Sequence, residues 1–307
     1  MKQRCRTLCL VILVFLSFPV MAGTFQEDLE KVDQGIKTNP SKVLRQSLES
    51  CLKQRNHAVV LSDMGMEERA QRALDYCFDM LAISREDAVK VAAPSQEELQ
   101  AKANLEYDKA LSLTPDTANG LAIYRECAAC HEPEGWGRTT GSVPQIAGQH
   151  RKVVIKQLAD FRAGNRDSTL MVPYATVESI GGAQAVADVA AYISTLEISV
   201  ENGRGPGDDL ALGETLYIEH CAACHESNGE GNNDNLIPRI QAQHYKYLVR
   251  QFQWIRDDKR RNASKEMTAL SKTLDEREMK AVLDYSSRLL PAEELRAPAD
   301  WKNPDFH

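Results

Sequence analysis

Apolar residues recur along this chain at helical spacing. Val43, Leu44, Leu48, Cys51 and Leu52 fall on one face of a helix expected from Ser41 to Asn56, and Asn39-Pro40-Ser41 reads as its start. A second helix is expected from Glu67 to Ile83, with Ala70, Ala73, Leu74, Cys77, Phe78 and Leu81 on one face. Two such antiparallel helices would bring Cys51 near Cys77. Ser95-Gln96-Glu97-Glu98 is a capping-box signal for a third helix, and Thr114 followed by Pro115 marks the start of a fourth. Two more amphipathic helices contain Val189-Ala190-Ala191-Tyr192-Ile193 and Ala281-Val282-Leu283-Asp284-Tyr285. No alternating run predicts a strand, so the expected fold class is all-α.

The last two thirds of the chain are two copies of one unit, from about Asn119 to Leu196 and from about Leu210 to Leu290. Val143-Pro144-Gln145-Ile146-Ala147-Gly148-Gln149-His150 aligns with Ile237-Pro238-Arg239-Ile240-Gln241-Ala242-Gln243-His244, Gln157 with Gln251, and Arg162 with Arg256. Between the copies, Asn202-Gly203-Arg204-Gly205-Pro206-Gly207 reads as a hinge or tether, and Gly229, Gly231 and residues 232–235 as a loop.

Each copy opens on the same pentapeptide, Cys127-Ala128-Ala129-Cys130-His131 and Cys221-Ala222-Ala223-Cys224-His225. Cys-x-x-Cys-His is the attachment pattern of a c-type haem. The two thiols add to the porphyrin vinyl groups and the adjacent imidazole ligates the iron. A zinc site would pair two half-sites at short spacing, whereas these lie 94 residues apart, each with its own histidine. A redox dithiol would want a βαβ setting, and these flanks are helical. Two covalent haem c groups are therefore expected, held by Cys127, Cys130, Cys221 and Cys224, with His131 and His225 as iron ligands.

The sixth iron ligand separates electron carriers from enzymes. The first copy offers Met171, 40 residues past His131; the second offers Met267, 42 residues past His225, with Met279 as competitor inside the last helix. Met171 and Met267 are the expected distal ligands, and Met279 a core residue. His150 and His244 recur at matched positions and are the rival ligands, a recurrence that a supporting or surface role explains equally well. His57, His220 and His307 have no counterpart and are expected at the surface.

Lys2, Arg4 and Arg6, then apolar Leu8 to Phe18, then Val20-Met21-Ala22 read as a cleaved export signal, with the mature chain starting near Gly23 and the protein periplasmic. The apolar run is short for a membrane span; left uncleaved, it would tether the chain at a membrane surface. Of eight cysteines, Cys5 and Cys9 leave with the signal and four carry haem. Cys51 and Cys77 remain, a predicted disulfide in an oxidising compartment. The formal charge of −7 without a long basic run excludes nucleic acid as an expected partner. The organisation is thus a signal peptide (1–22), a helical region (23–112), a first haem unit (113–200), a linker (201–207), a second haem unit (208–290) and a tail (291–307).

Both haem motifs, both downstream prolines, both methionines and both terminal Tyr-bearing helices resemble the class I cytochromes c. Their tandem arrangement over about residues 115–290 resembles the two-haem cytochrome c4 family. The resemblance implies that the carbonyls of Pro144 and Pro238 accept hydrogen bonds from the proximal imidazoles. It also implies that Arg166, in Gly164-Asn165-Arg166, lies near a haem propionate. Two departures stand out. Glu132 and Glu226 replace the glycine usual after the histidine. The second copy reads Asp257-Asp258-Lys259-Arg260-Arg261, without Gly-x-Arg and with two extra residues before Met267. The implied function is electron transfer rather than catalysis, between a quinol-oxidising complex and a terminal oxidase or reductase. Alternatives are a two-haem oxidoreductase, such as a peroxidase or thiosulfate dehydrogenase, and the cytochrome subunit of a larger dehydrogenase. Residues 24–112 lie outside the resemblance and carry no legible chemistry.

Overall fold

The computed structural model describes residues 25–38, individual positions between 51 and 77, and residues 95–306. The chain divides into two compact units, Met1–Val91 and Ala92–His307. The described residues form helices without strands; isolated bridges join Ile198 to Arg296 and Asn232 to Ile237.

In the first unit, helix α1 (Phe25–Thr38) is an element that the apolar spacing did not single out. Its buried Leu29 and Val32 join Ala58, Val59, Ala73, Leu74 and the two cysteines in one cluster. A disulfide links Cys51 to Cys77, with Cα atoms 5.0 Å apart. In the loop-entropy model, closing 26 residues stabilises the fold by about 3–4 kcal/mol, a large share for so small a cluster. Arg55 grips Asp33 through two bonds of 2.8 and 2.7 Å. Cys51, residues 54–56, residues 70–75 and Cys77 are helical, as the spacing predicts. The export signal at 1–22, residues 41–50 and residues 78–83 lie outside the described residues.

The second unit holds both copies. Helices α2 (Gln96–Ser112), α3 (Thr117–His131), α4 (Arg151–Ala163), α5 (Val172–Ala175), α6 (Val177–Ile180) and α7 (Ala183–Thr195) build the first. Helices α8 (Leu210–His220), α9 (Ala222–His225), α10 (Tyr245–Arg256), α11 (Lys265–Ser271) and α12 (Glu276–Arg288) build the second. Ser95 and Glu98 form the expected capping box on α2. The next helix starts later than Thr114-Pro115 suggests, because the Asp116 side chain accepts from the Ala118 and Asn119 amides and so becomes the cap.

Helix α3 crosses α7, and α8 crosses α12, where a glycine lets the backbones meet. A Cβ at Gly120 would collide with the Asp188 carbonyl, and one at Gly213 with that of Ala281. Aromatic pairs close both crossings, Tyr124 on Tyr192 at 5.2 Å and Tyr217 on Tyr285 at 5.6 Å between centroids. Helix α2 packs on α4 and α7, placing Tyr107, Ala110 and Leu111 in the first copy's core.

Residues 202–207 are not a free tether. Asn202 donates to the Gln243 and Ser287 carbonyls, and the amides of Gly205 and Gly207 donate to the Asp284 carboxylate. The tail leaves the second copy and returns to the first. Asn303, buried, donates to the Pro133 carbonyl at 2.6 Å and to the Tyr192 hydroxyl at 3.0 Å. Phe306 stacks edge-on against Tyr124, and Trp301 lies beside Trp136.

Candidate haem sites

Helix α3 carries Cys127, Cys130 and His131 in its last turns. In the second copy the motif spans the junction of α8 and α9, at Cys221, Cys224 and His225. The chain turns sharply after each histidine, with φ of 66° at Glu132 and 63° at Glu226. Glutamate thus takes a conformation that glycine adopts at lower cost, in both copies. Tyr124 and Tyr217 hold these turns by donating to the Glu132 and Glu226 carbonyls at 2.9 and 2.7 Å.

The loop beyond folds back so that a proline carbonyl meets each imidazole. His131 Nδ1 lies 3.0 Å from the Pro144 oxygen and His225 Nδ1 lies 3.1 Å from that of Pro238. A carbonyl only accepts, so Nδ1 carries the proton and Nε2 keeps its lone pair for a metal. This return needs Gly137 and Gly231, where a Cβ would strike the Pro144 and Pro238 peptides. Burial pushes His131 down to about 4 against the opposing pull of the Pro144 carbonyl, and burial lowers His225 as well. Both rings are neutral at physiological pH, the form that ligates iron.

The thiols fit covalent attachment better than a redox dithiol. All four motif cysteines are free, with Cys130 and Cys224 exposed. Burial pushes Cys127 and Cys221 up to about 11, opposite to the lowered thiol of a redox Cys-x-x-Cys. Among the described residues no group of three or more His, Cys, Asp and Glu converges as zinc would require.

Met171 precedes α5 and Met267 lies in α11, both half-buried. Met279 is fully buried in the core of the second copy, leaving Met267 as its partly covered methionine. Matched arginines clamp the methionine-bearing segments. Arg162 donates to the Ala175 and Gly181 carbonyls, each at 2.6 Å, and Arg256 to those of Ser271 and Leu274 at 2.8 and 3.0 Å.

The rival histidines are engaged elsewhere. His150 Nε2 donates to the Glu230 carbonyl at 2.7 Å, and His244 Nε2 to that of Trp136 at 2.8 Å. His244 Nδ1 also accepts from the Gly203 amide, so both its ring nitrogens are occupied. Each ring therefore ties one copy to the other. His220 is exposed as expected, while His57 and His307 lie outside the described residues.

The departure at residues 257–261 proves smaller than the sequence suggests. Arg260 stands in the second copy where Arg166 stands in the first, and the two share partners. Arg166 donates to Gln157 at 2.6 Å and Gln251 at 2.8 Å; Arg260 donates to Gln251 at 3.0 Å and Gln157 at 3.3 Å. Asp258, with φ of 56°, makes the turn that Gly164 makes in the first copy. Arg260 is the residue that sequence reasoning missed, because the missing glycine hid a retained arginine. Burial, reinforced by neighbouring Arg166, pushes its guanidinium down to about 9. Arg166 Nε is buried with no partner. Two cations whose shared acceptors are neutral amides, one with an orphaned N–H, fit the carboxylates of haem propionates.

Comparison with known proteins identifies the family. The cytochrome c family pattern matches residues 117–197 and again residues 210–287, together just over half of the chain. Cytochrome c4 of Azotobacter vinelandii is 29% identical over 186 residues, covering 55% of this chain and 87% of that protein. The thiosulfate dehydrogenase electron acceptor of Stutzerimonas stutzeri is 28% identical over 191 residues, covering 57% and 88%. The crystal structure of reduced cytochrome c4 from Pseudomonas stutzeri superposes with a TM-score of 0.51 at 24% identity, covering 58% of this chain and all of that one. This chain belongs to the cytochrome c family, as a tandem of two such domains with two covalently bound haem c groups.

Proposed function

We propose that this protein is a periplasmic electron carrier whose two haems each have one histidine and one methionine ligand. Cys127 and Cys130 would hold the first haem and Cys221 and Cys224 the second. His131 with Met171, and His225 with Met267, would be the axial pairs, and Arg166 and Arg260 would face propionates. Haem c supplies one-electron exchange at iron. The chain's own residues hold that iron in a fixed ligand field: Pro144 and Pro238 orient the imidazoles, and Arg162 and Arg256 hold the methionine segments. Domain limits of about 113–200 and 208–290 follow from this reading, with α2 as a brace on the first domain.

One observation carries the proposal. Each copy keeps one half-buried methionine past its haem motif, while both rival histidines are spent on contacts between the copies. A catalytic haem needs an iron that is open or can open. The relative named as the electron acceptor of thiosulfate dehydrogenase makes a sulfur-oxidising dehydrogenase one candidate donor. A quinol-oxidising complex is another, and a terminal oxidase or reductase would be the acceptor. An exported protein at a membrane surface suits such exchange, and no described helix is long and apolar enough to cross a membrane.

The test is steady-state assay of purified holoprotein with thiosulfate plus an artificial electron acceptor or peroxide plus an artificial electron donor, then haem reduction by thiosulfate or quinol with a thiosulfate dehydrogenase or a quinol-oxidising complex added. The expected result is no turnover without a partner enzyme and rapid haem reduction once a donor enzyme is present. Turnover of either small molecule by the protein alone would make it an enzyme.

A further inference from the structure

The two domains clasp each other through a reciprocal pair of glutamines at matched positions. Gln243 Oε1 accepts from the Gln145 amide at 3.0 Å, and its Nε2 donates to the Gln145 carbonyl at 2.8 Å. Gln149 treats Arg239 identically: its Oε1 accepts from the Arg239 amide at 3.0 Å and its Nε2 donates to the Arg239 carbonyl at 3.0 Å. Each Oε1 also accepts from the amide of the following histidine, which fixes the side chain's orientation.

The amides they reach are not arbitrary. The Gln145 N–H belongs to the same peptide group as the Pro144 carbonyl, which takes the His131 Nδ1 proton. The Arg239 N–H belongs to the same peptide group as the Pro238 carbonyl, which takes that of His225. Each proximal histidine is therefore bonded to one end of a peptide whose other end is bonded to the opposite domain. Hydrogen bonds in such a chain polarise one another. An N–H that donates places more electron density on its carbonyl oxygen. That oxygen then draws the imidazole proton more strongly and makes Nε2 a more basic ligand, which favours ferric iron.

We propose that Gln243 and Gln149 are positioning residues acting across the interface: Gln243 tunes the haem of the first domain and Gln149 that of the second. The inference rests on His131 and His225 being the iron ligands. It makes the redox poise of each haem depend on the docking of the other domain, which a covalently tethered but undocked pair would lack.

The test uses the full-length holoprotein and the variants Gln243→Met and Gln149→Met, which keep side-chain length but remove the acceptor. Potentials are measured haem by haem, and the imidazole Nδ1–H resonances are followed in the diamagnetic reduced protein. Gln243→Met is expected to raise the potential of the first haem and move the His131 Nδ1–H signal upfield, leaving the second haem and His225 in place. Gln149→Met is expected to do the reverse. Equal shifts of both haems in both variants, or a shift confined to the domain carrying the substitution, would overturn the proposal. If a methionine variant fails to load both haems, Gln243→Glu keeps an oxygen for the Gln145 amide. It should then move the His131 signal downfield, and no movement there would be equally fatal. Failure of the ligand assignment would show separately, as a wild-type protein lacking two six-coordinate ferrous haems.

Discussion

At each site one carbonyl decides what a histidine can do. By taking the Nδ1 proton, Pro144 and Pro238 leave Nε2 with its lone pair for a metal and fix the ring. That bond was legible by resemblance, since the proline follows each histidine at the same distance. The arginine proposed to face a propionate was legible only in the first copy, because the sequence pattern relies on glycine. Asp258 takes the left-handed turn at an energetic cost and so preserves Arg260 unseen. Replacing Arg166 with Gln should lower haem potentials, because a cation nearby disfavours the extra charge of ferric iron. The change should be of order 1 kcal/mol, as for a unit charge at an effective dielectric of roughly 20. Potentiometric titration checks it, and an unchanged or raised potential would separate Arg166 from the haems.

Among the elements, the helix crossings and the methionine segments are the sensitive points. Gly120→Ala or Gly213→Ala would drive a methyl into a neighbouring carbonyl, at about 1–3 kcal/mol for an overpacked contact. Holoprotein carrying either change should unfold at lower denaturant concentration, and an unaltered midpoint would show that the helices can separate freely. Arg162→Ala and Arg256→Ala remove the clamps on the methionine segments. Each should weaken the methionine–iron absorption band of its own domain on warming, while the other domain's band persists. Helical periodicity found most of these elements, yet it placed the start of α3 too early. The Asp116 carboxylate, which accepts from two free amides, outcompetes Thr114-Pro115 as the cap. The Gly/Pro composition of residues 202–207 suggested a tether for a similar reason, since composition cannot show that Asp284 waits to accept its amides.

For the whole molecule, the internal repeat announced two domains but not how they grip each other. The gripping residues, Gln149, His150, Gln243 and His244, were visible as repeated polar positions without an assigned partner. Their partners are main-chain groups of the other copy, which sequence does not mark. The tail is similar: Asn303 and Phe306 leave no motif, yet they lock onto the first domain. Asn303→Ala strands the Pro133 carbonyl and should cost about 1–3 kcal/mol. It should lower the thermal midpoint of the first domain, resolved by its haem absorbance; equal effects on both domains would contradict a local role. Acid should loosen the clasp as well. Burial holds His150 and His244 below the ordinary histidine range, so the unfolded chain binds more protons than the folded one just below that range. Stability is therefore full above about pH 6.5 and falls as pH drops further. His244→Asn should flatten that slope in pH-dependent unfolding, and a slope identical to wild type would rule the ring out as its source.

The central claim is that both irons are closed by methionine, and the optical spectrum of the purified holoprotein tests it most directly. The oxidised form should show the weak far-red methionine–iron band at two-haem intensity. The band should be halved by Met171→Ala or Met267→Ala and abolished by the double variant, and the reduced wild type should not bind carbon monoxide promptly. A high-spin signal or prompt carbon monoxide binding by the unaltered protein would mean an open haem, and the carrier account would give way to an enzyme.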